Sequence, residues 1–359
     1  MKSIPYYLYR GGTSKGPFLF KKDLPKSDEK CNELIRNIMG SPHPYQVDGI
    51  GGGVSNASKV VIINLSNRPD CDIDCVFGQV AILSNEIDFS GDCGNMLTAA
   101  ACCALESKLI NAGKSETKVR VFNPATNSVK EVVVPCKNGR VIYEGNYHID
   151  GVNFSGSKVY ISFLNPGGSQ TGHIFPSGNR IDIINNISVT LIDCGRALVI
   201  AQAHDFNIKN NQTNDELEQD FNLHEFIEKF RLACAKKMNI HNPCQTYPRI
   251  VLVSKSNDIK QNIYVRYWSN PTAKQIHPSL AMTAAIGISA ALVTKGTICA
   301  QRELLLNKHT QTKKVNIGHP QGGLEISITG QDFPLNITKG TYYRTARLIA
   351  KGEVYYRES

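Results

Sequence analysis

Two runs of small residues constrain this chain most: Leu97-Thr98-Ala99-Ala100-Ala101-Cys102 and Met282-Thr283-Ala284-Ala285-Ile286-Gly287, about half the sequence apart. Each reads as a helix whose small side chains let other backbone wrap closely around it, and the echo predicts two similar halves. The remaining sequence is dominated by strand-like apolar or alternating runs. These are Tyr6 to Tyr9, Val60 to Leu65, Val76 to Leu83, Lys118 to Val121, Val129 to Val134, Val159 to Phe163, Ile187 to Ile192, Val251 to Val253, Asn262 to Tyr267 and Leu324 to Thr329. Helical periodicity is confined to Asp28 to Met39, Asn95 to Ile110, Asn214 to Met238 with a break near Leu223, and Leu280 to Val293. This is an α+β pattern, because strands and helices do not alternate as a doubly wound sheet requires. A length of 359 residues suits two domains. Aligning the two echoes places Cys93 against Pro278, with His277 and Ser279 alongside.

The second half therefore offers His and Ser where the first offers a thiol. Ser90-Gly91-Asp92-Cys93-Gly94-Asn95 immediately precedes the first small-residue helix. A cysteine at a helix N-terminus is favoured as thiolate by the unpaired N–H groups and the dipole of the first turn, and glycines beside it admit a substrate. Such a thiolate either attacks a carbonyl or removes a proton from carbon. The plainer alternative is a small packing residue.

Composition excludes several classes. A hydrophobic content of 41% with 20% charged residues is that of a globular protein, and no apolar run is long enough to span a bilayer. The N-terminal sequence passes straight into strand without an export signal, so a cytoplasmic protein is expected. The eleven cysteines form no Cys-x-x-Cys pair and read as reduced thiols, with no metal site. The net charge of +9 is scattered, which fits a small polyanion better than nucleic acid. No nucleotide fingerprint is present, since Gly51-Gly52-Gly53 is not followed by a helix opening with Lys-Ser/Thr.

Four motifs in order then carry a resemblance: Arg10-Gly11-Gly12-Thr13-Ser14-Lys15-Gly16; Asp48-Gly49-Ile50-Gly51-Gly52 with Ser55-Asn56-Ala57-Ser58-Lys59-Val60-Val61; Phe77-Gly78-Gln79-Val80; and Ser90 to Asn95. They resemble the PrpF family of isomerases. Phe163-Leu164-Asn165-Pro166-Gly167-Gly168, Leu191-Ile192-Asp193, His277-Pro278, Gly318-His319-Pro320 and Arg344-Thr345-Ala346-Arg347 look like its later motifs, so the resemblance spans nearly the whole chain.

The resemblance implies a diaminopimelate epimerase-like fold of two pseudo-symmetric domains, each a β-barrel-like sheet around a central helix, with the active site in the cleft between them. The expected bounds are 1–182, completed by a C-terminal strand at 341–359, and 183–340. It also implies a cofactor-independent isomerase that moves a proton between allylic carbons of a small unsaturated di- or tricarboxylate of the 2-methylaconitate or aconitate type, cis-trans or positional. A 4-oxalomesaconate-type keto-enol tautomerase is the alternative. Diaminopimelate epimerase opposes two cysteines; with Pro278 in the second place, a symmetric two-thiol racemase is not expected here.

Removing a proton beside a carboxylate makes a dienolate-like species, which needs a base and fixed positive dipoles at the carboxyl oxygens. Cys93 is the first candidate. Lys59 matches the family's motif lysine and is the second, either returning the proton or holding a carboxylate; its position alone suits a strand cap equally well. Thr13, Ser14, Ser55, Asn56, Ser58 and Asn95 are short donors in glycine-rich turns suited to carboxylate oxygens, although each residue type also serves in turns and caps. His277, Ser279 and His319 are the candidates from the second half. Lys15, Arg344 and Arg347 are cations for a distal carboxylate or else solvated edge residues.

Two departures from the family pattern stand out. Asp92 replaces a neutral residue beside the thiol and would oppose its ionisation if turned towards it, unless it caps the helix. Lys274, in Ala273-Lys274-Gln275-Ile276, stands farther from His277 than the family's lysine usually does. The alternative from another class is a non-catalytic polycarboxylate-binding accessory of an aconitase-like dehydratase, which would need neither Cys93 nor Lys59. The expected partner is the small acid alone, without nucleic acid or membrane, and a homodimer is left open.

Overall fold

The computed structural model describes residues 1–243, 247–270 and 275–357. The chain divides into two compact units, Met1–Ser162 with Tyr343–Ser359, and Phe163–Tyr342. The division thus falls before residue 182, where the sequence reading put it. The reason lies in Asp193, a fully buried carboxylate that accepts the N–H groups of Gln170 and Thr171, both at 2.7 Å, and the hydroxyls of Thr171 and Ser169 at 3.0 and 3.2 Å. The N–H of Asn165 also donates to Thr338 at 2.9 Å. Leaving that carboxylate without these donors would be costly, so the segment folds with the second unit.

In the first unit, β1 (Lys2–Gly11) runs antiparallel to β2 (Ser14–Phe20) and, on its other side, to the C-terminal strand Ala346–Tyr356. After helix α1 (Asp28–Met39), β3 (Lys59–Leu65) lies parallel to β2 and antiparallel to β4 (Ile73–Val80). The short β5 (Ile87–Asp88) pairs with the end of β4 and leads into helix α2 (Gly94–Glu106). Then β6 (Glu116–Asn123) joins β4 in parallel and β7 (Ser128–Lys137) joins β6 antiparallel. Short β8 (Arg140–Val141) and then β9 (Val159–Leu164) follow. Residues Met96 to Leu105 of α2 are all buried, with β1, β2, β3, β4, β7 and the C-terminal strand packed around them. On the outer face Leu34, Ile35, Ile38 and Met39 of α1 pack with Ile4, Leu19, Val60 and Val80. Spacing of three and four residues puts those α1 side chains on one stripe, as an amphipathic helix requires.

The second unit repeats this order. β10 (Asp182–Ile184) and β11 (Ile187–Asp193) lead to β12 (Ala197–Gln202), antiparallel to β11. Helices α3 (Asn214–Glu218) and α4 (Phe221–Lys237) follow, and β13 (Arg249–Ser254) lies parallel to β12 and antiparallel to β14 (Ile263–Asn270). Short β15 (Gln275–Ile276) pairs with the end of β14 and precedes α5 (Met282–Val293). β16 (Gln311–His319) then joins β14 in parallel, with β17 (Gly322–Asp332) and β18 (Leu335–Arg344) antiparallel beyond it. Pairing alternates antiparallel, parallel, antiparallel, parallel, antiparallel along β1-β2-β3-β4-β6-β7 and equally along β11-β12-β13-β14-β16-β17. The sequence echo is therefore a duplication of the whole motif.

The helix break near Leu223 is the gap between α3 and α4, where Asp220 caps α4 through the Leu223 N–H at 2.9 Å. Several unforeseen strands lack a plain apolar run: β2 opens with Ser-Lys-Gly-Pro, while β16 and the C-terminal strand alternate with Lys, Gln, Glu and Arg; β12, an apolar run from Ala197 to Ala201, was missed although its pattern is that of a buried strand.

Because Ala100 is fully buried among strands on several sides of α2, Ala100→Leu overpacks the unit. We expect a loss of about 1–3 kcal/mol, read by calorimetry as a fall of roughly 2–4 °C per kcal/mol. Unchanged melting would contradict tight closure around this helix.

Candidate active site

Cys93 is the N-cap of α2, with φ −130° and ψ 101°, and its carbonyl accepts the Leu97 N–H at 2.8 Å. Its half-buried thiol makes no capping bond, so the N–H groups of the first turn keep no side-chain acceptor from the cap. No acidic residue lies in that turn. A Cβ added at Gly91 would meet nothing within 4 Å, which leaves open space two residues before the thiol.

The Arg10-to-Gly16 hairpin lies against this helix start. A Cβ on Gly11 would come within 2.2 Å of the Asn95 carbonyl, and one on Gly12 within 2.0 Å of Asn95 Oδ1. Gly12 also has φ +52°, so glycine is required there by both space and backbone. The approach lets Asn95 Nδ2 donate to Thr13 Oγ1 at 2.9 Å and Ser14 Oγ at 3.4 Å, while Asn95 Oδ1 accepts Arg344 Nε at 3.2 Å. Asn56 Nδ2 donates to the Thr13 carbonyl at 3.3 Å. Five residues picked out in sequence thus form one network at the tip of α2.

Lys59 opens β3 and is 9% exposed. Its Nζ donates to Gln79 Oε1 at 2.5 Å and stands 5.0 Å from the Phe77 ring centroid, within cation–π range. Gln79 pairs with Lys59 across β3 and β4, and its Nε2 donates to the Ser58 and Ser55 carbonyls at 2.9 and 3.1 Å. Those two donations fix the amide so that its oxygen must face the lysine. Sequence reasoning missed Gln79 as a functional candidate, although it stands in one of the motifs. β2 brings Lys59 near the helix tip: a Cβ at Gly16 would lie 2.1 Å from the Lys59 carbonyl and 3.3 Å from Met96 Cε of α2.

Ser58 is placed differently from a substrate donor. It is fully buried, donates to the Val80 carbonyl at 2.9 Å and receives Gln46 Nε2 at 2.7 Å, so it secures the loop. Ser55 is exposed, and its main-chain carbonyl takes the Gln79 amide. Lys15 is half-buried and lines a cavity of about 900 Å³ in this unit, together with Thr13, Ser14, Asn56, Arg10 and Arg347. Cys93 and Lys59 are not on its wall.

Asp92 is held by partners on β6, β7 and the turn between them. Its carboxylate turns to Lys130, to Asn123 Nδ2 at 2.6 Å and to Thr126 Oγ1 at 3.1 Å. Burial favours its neutral form, but the Lys130 charge and these hydrogen bonds outweigh burial and hold the carboxyl below its usual range. Lys130 itself is 2% exposed. Cys75 on β4 is buried, and its thiol is pushed up to about 12, by burial first and the Asp92 charge second. Burial likewise raises Cys31 and Cys71.

In the second unit His277, Ser279 and His319 come together before α5. The Ser279 N–H donates to His277 Nδ1 at 3.0 Å, so a neutral His277 carries its proton on Nε2. Burial, with the Arg249 charge adding to it, pushes the His277 pKa down. His319 Nδ1 accepts the Gln321 N–H at 3.3 Å, leaving Nε2–H to donate to Ser279 Oγ at 3.2 Å. The N-cap of α5 is Ala281, and a Cβ at Gly195 would come within 3.0 Å of the Thr283 carbonyl, as one at Gly11 would approach that of Asn95. Helix for helix, Thr283 answers Asn95 and Cys93 answers Ala281, so the sequence alignment of Cys93 with Pro278 is out of step by three residues. Lys274 lies outside the described residues. Among those described, no helix is long and apolar enough to cross a membrane.

Strands packed around a buried small-residue helix, once in each of two units, make the diaminopimelate epimerase-like fold. A hydroxyproline epimerase of Agrobacterium vitis shares it at TM-score 0.50 and 11% identity, over 98% of this chain and 92% of that one. The crystal structure of a methylitaconate-delta-isomerase superposes far better, at TM-score 0.87 and 28% identity, over 99% of this chain and 96% of that one. The model of the PrpF protein family matches residues 1–357, and the chain belongs to that family of isomerases. A (4E)-oxalomesaconate Delta-isomerase of Novosphingobium sp. (strain KA1) is 32% identical over 99% of this chain and 98% of its own.

The Asp92–Lys130 pair predicts a pH response. A carboxyl held below its ordinary value contributes stability that is complete above the unfolded pKa near 3.8 and is lost as pH falls through the lower folded value. In Lys130→Met burial acts without its counter-charge, so the acid-unfolding midpoint followed by circular dichroism should move to higher pH. An unmoved midpoint would mean that the pair contributes nothing.

Proposed function

We propose that this protein is a cofactor-independent isomerase that moves a proton between allylic carbons of a small unsaturated di- or tricarboxylate. The observation that carries the reading is the uncommitted Cys93 thiol at the tip of α2, beside open space at Gly91 and next to the Asn95 network. Cys93 removes the proton. The first-turn N–H groups and the Thr13, Ser14 and Asn95 side chains receive the negative charge that develops on the substrate carboxylate, in the manner of an oxyanion hole. Lys59, aimed by Gln79, returns the proton at the other allylic carbon or holds the carboxylate next to it. Three donors of different chemistry, the hydroxyls, the amide and the Arg344 cation, suit a substrate with more than one carboxylate.

In the second unit His277, Ser279 and His319 form a separate group of hydrogen-bond donors of the kind a carboxylate takes. Ser58 and Gln46 shape the loop that carries Lys59. The relatives' names place methylitaconate and oxalomesaconate on the panel of acids worth testing, beside cis- and trans-aconitate and 2-methylaconitate.

Proton NMR in D₂O with that panel tests the proposal. We expect deuterium to enter an allylic position of one acid, and Cys93→Ser to slow this by about 10²-fold or more, the usual contribution of a positioned general base. Lys59→Met should impair return of the proton and so reduce net isomerisation. No exchange with any acid by reduced wild-type protein would overturn the reading; tight binding without exchange would favour an accessory binder.

A further inference from the structure

The duplication assigns Lys59 a counterpart. Lys59 is the first residue of β3 and Arg249 the first of β13, the third strand of each repeated motif. Two residues on, Val61 pairs with Phe77 and Val251 with Tyr267. The cations bear on those two rings in the same way: Lys59 Nζ is 5.0 Å from the Phe77 centroid and Arg249 Cζ is 6.0 Å from that of Tyr267. Register, strand position and ring contact all agree, so Arg249 occupies in the second unit the place that Lys59 occupies in the first.

The surroundings of Arg249 are chemically distinct. Its charge acts on His277, and the Tyr267 ring it approaches lies 5.9 Å from the His277 ring. Arg196 Nη1 donates to the Tyr267 hydroxyl at 3.1 Å, placing a second guanidinium on the same tyrosine. His277, kept neutral, offers Nε2–H, and the Ser279 hydroxyl stands next to it in the chain. A fixed cation grouped with neutral donors is the chemistry of carboxylate recognition, and a guanidinium, unlike a lysine, stays charged and does not exchange protons near neutral pH.

We propose that Arg249 binds a substrate carboxylate in the second unit: the duplicated position carries a proton-transfer lysine in one copy and a carboxylate-binding arginine in the other. This rests on the isomerase reading above and adds to it a second cation, one that binds a carboxylate without exchanging a proton.

The test measures binding of trans-aconitate by isothermal titration calorimetry, and turnover of the exchanging acid, for full-length wild type, Arg249→Gln and Arg249→Lys. Loss of a charge-assisted bidentate contact predicts a rise in Kd and KM of about 10- to 100-fold for Arg249→Gln, with kcat changed only a few-fold. Arg249→Lys should recover part of the affinity, because charge returns without the planar fork. Equal Kd and KM in wild type and Arg249→Gln would overturn the inference, as would a loss confined to kcat. If Arg249→Gln does not fold, an Arg249→Lys protein with wild-type Kd and KM overturns it equally. A wild type that binds trans-aconitate without isomerising any acid would remove the isomerase reading, while the Kd comparison still decides Arg249. A wild type that binds no acid overturns the inference as well.

Discussion

Enclosure of a helix by sheet on several sides is the constraint on which each unit depends. A helix buried from Met96 to Leu105 can bring strands that close only if most of its side chains are small, which Thr98, Ala99, Ala100, Ala101, Cys102, Cys103 and Ala104 satisfy. Its flanks and body face protein, so the N-terminal turn is the part whose N–H groups still need acceptors. The Arg10-to-Gly16 hairpin reaches that turn because Gly11 and Gly12 have no Cβ to block Asn95. Packing and site therefore share one cause: the closeness that makes the core also brings Thr13, Ser14, Asn95 and Arg344 within hydrogen-bonding distance.

The charged groups around Cys93 follow the same economy of placement. An aspartate beside a helix-capping cysteine needs partners of its own, and a nearly buried Lys130 and Asn123 draw the Asp92 carboxylate into the β6–β7 side of the unit. The second unit uses the equivalent strand end: Asn123 on β6 ties the turn before α2, and His319 on β16 ties the turn before α5 through Ser279. Duplication keeps the brace and changes the residue that makes it.

The two copies of the motif carry different side chains at the positions their shared geometry makes equivalent. A thiol caps one helix and an alanine the other, and a lysine opens one third strand where an arginine opens the other. Proton transfer needs groups that change charge, whereas holding a carboxylate needs groups that do not. One geometry, repeated, carries side chains of different acid–base chemistry in its two copies.

The sequence by itself determined the two central helices, α1 from its apolar stripe, ten of the strands and the family motifs, because each rests on local spacing of apolar or small residues. It placed Cys93 at a helix start for the same reason. Only the tertiary structure decided that Ser58 turns inward, that Gln79 aims Lys59 and that Asp92 turns to Lys130, since each depends on partners many residues away. The unit boundary was likewise settled by Asp193 capturing the N–H groups of Gln170 and Thr171. The true pairing of the duplicated helices, three residues from the sequence match, came from backbone contact at Gly11 and Gly195, where closeness in space and not similarity of side chains marks equivalence.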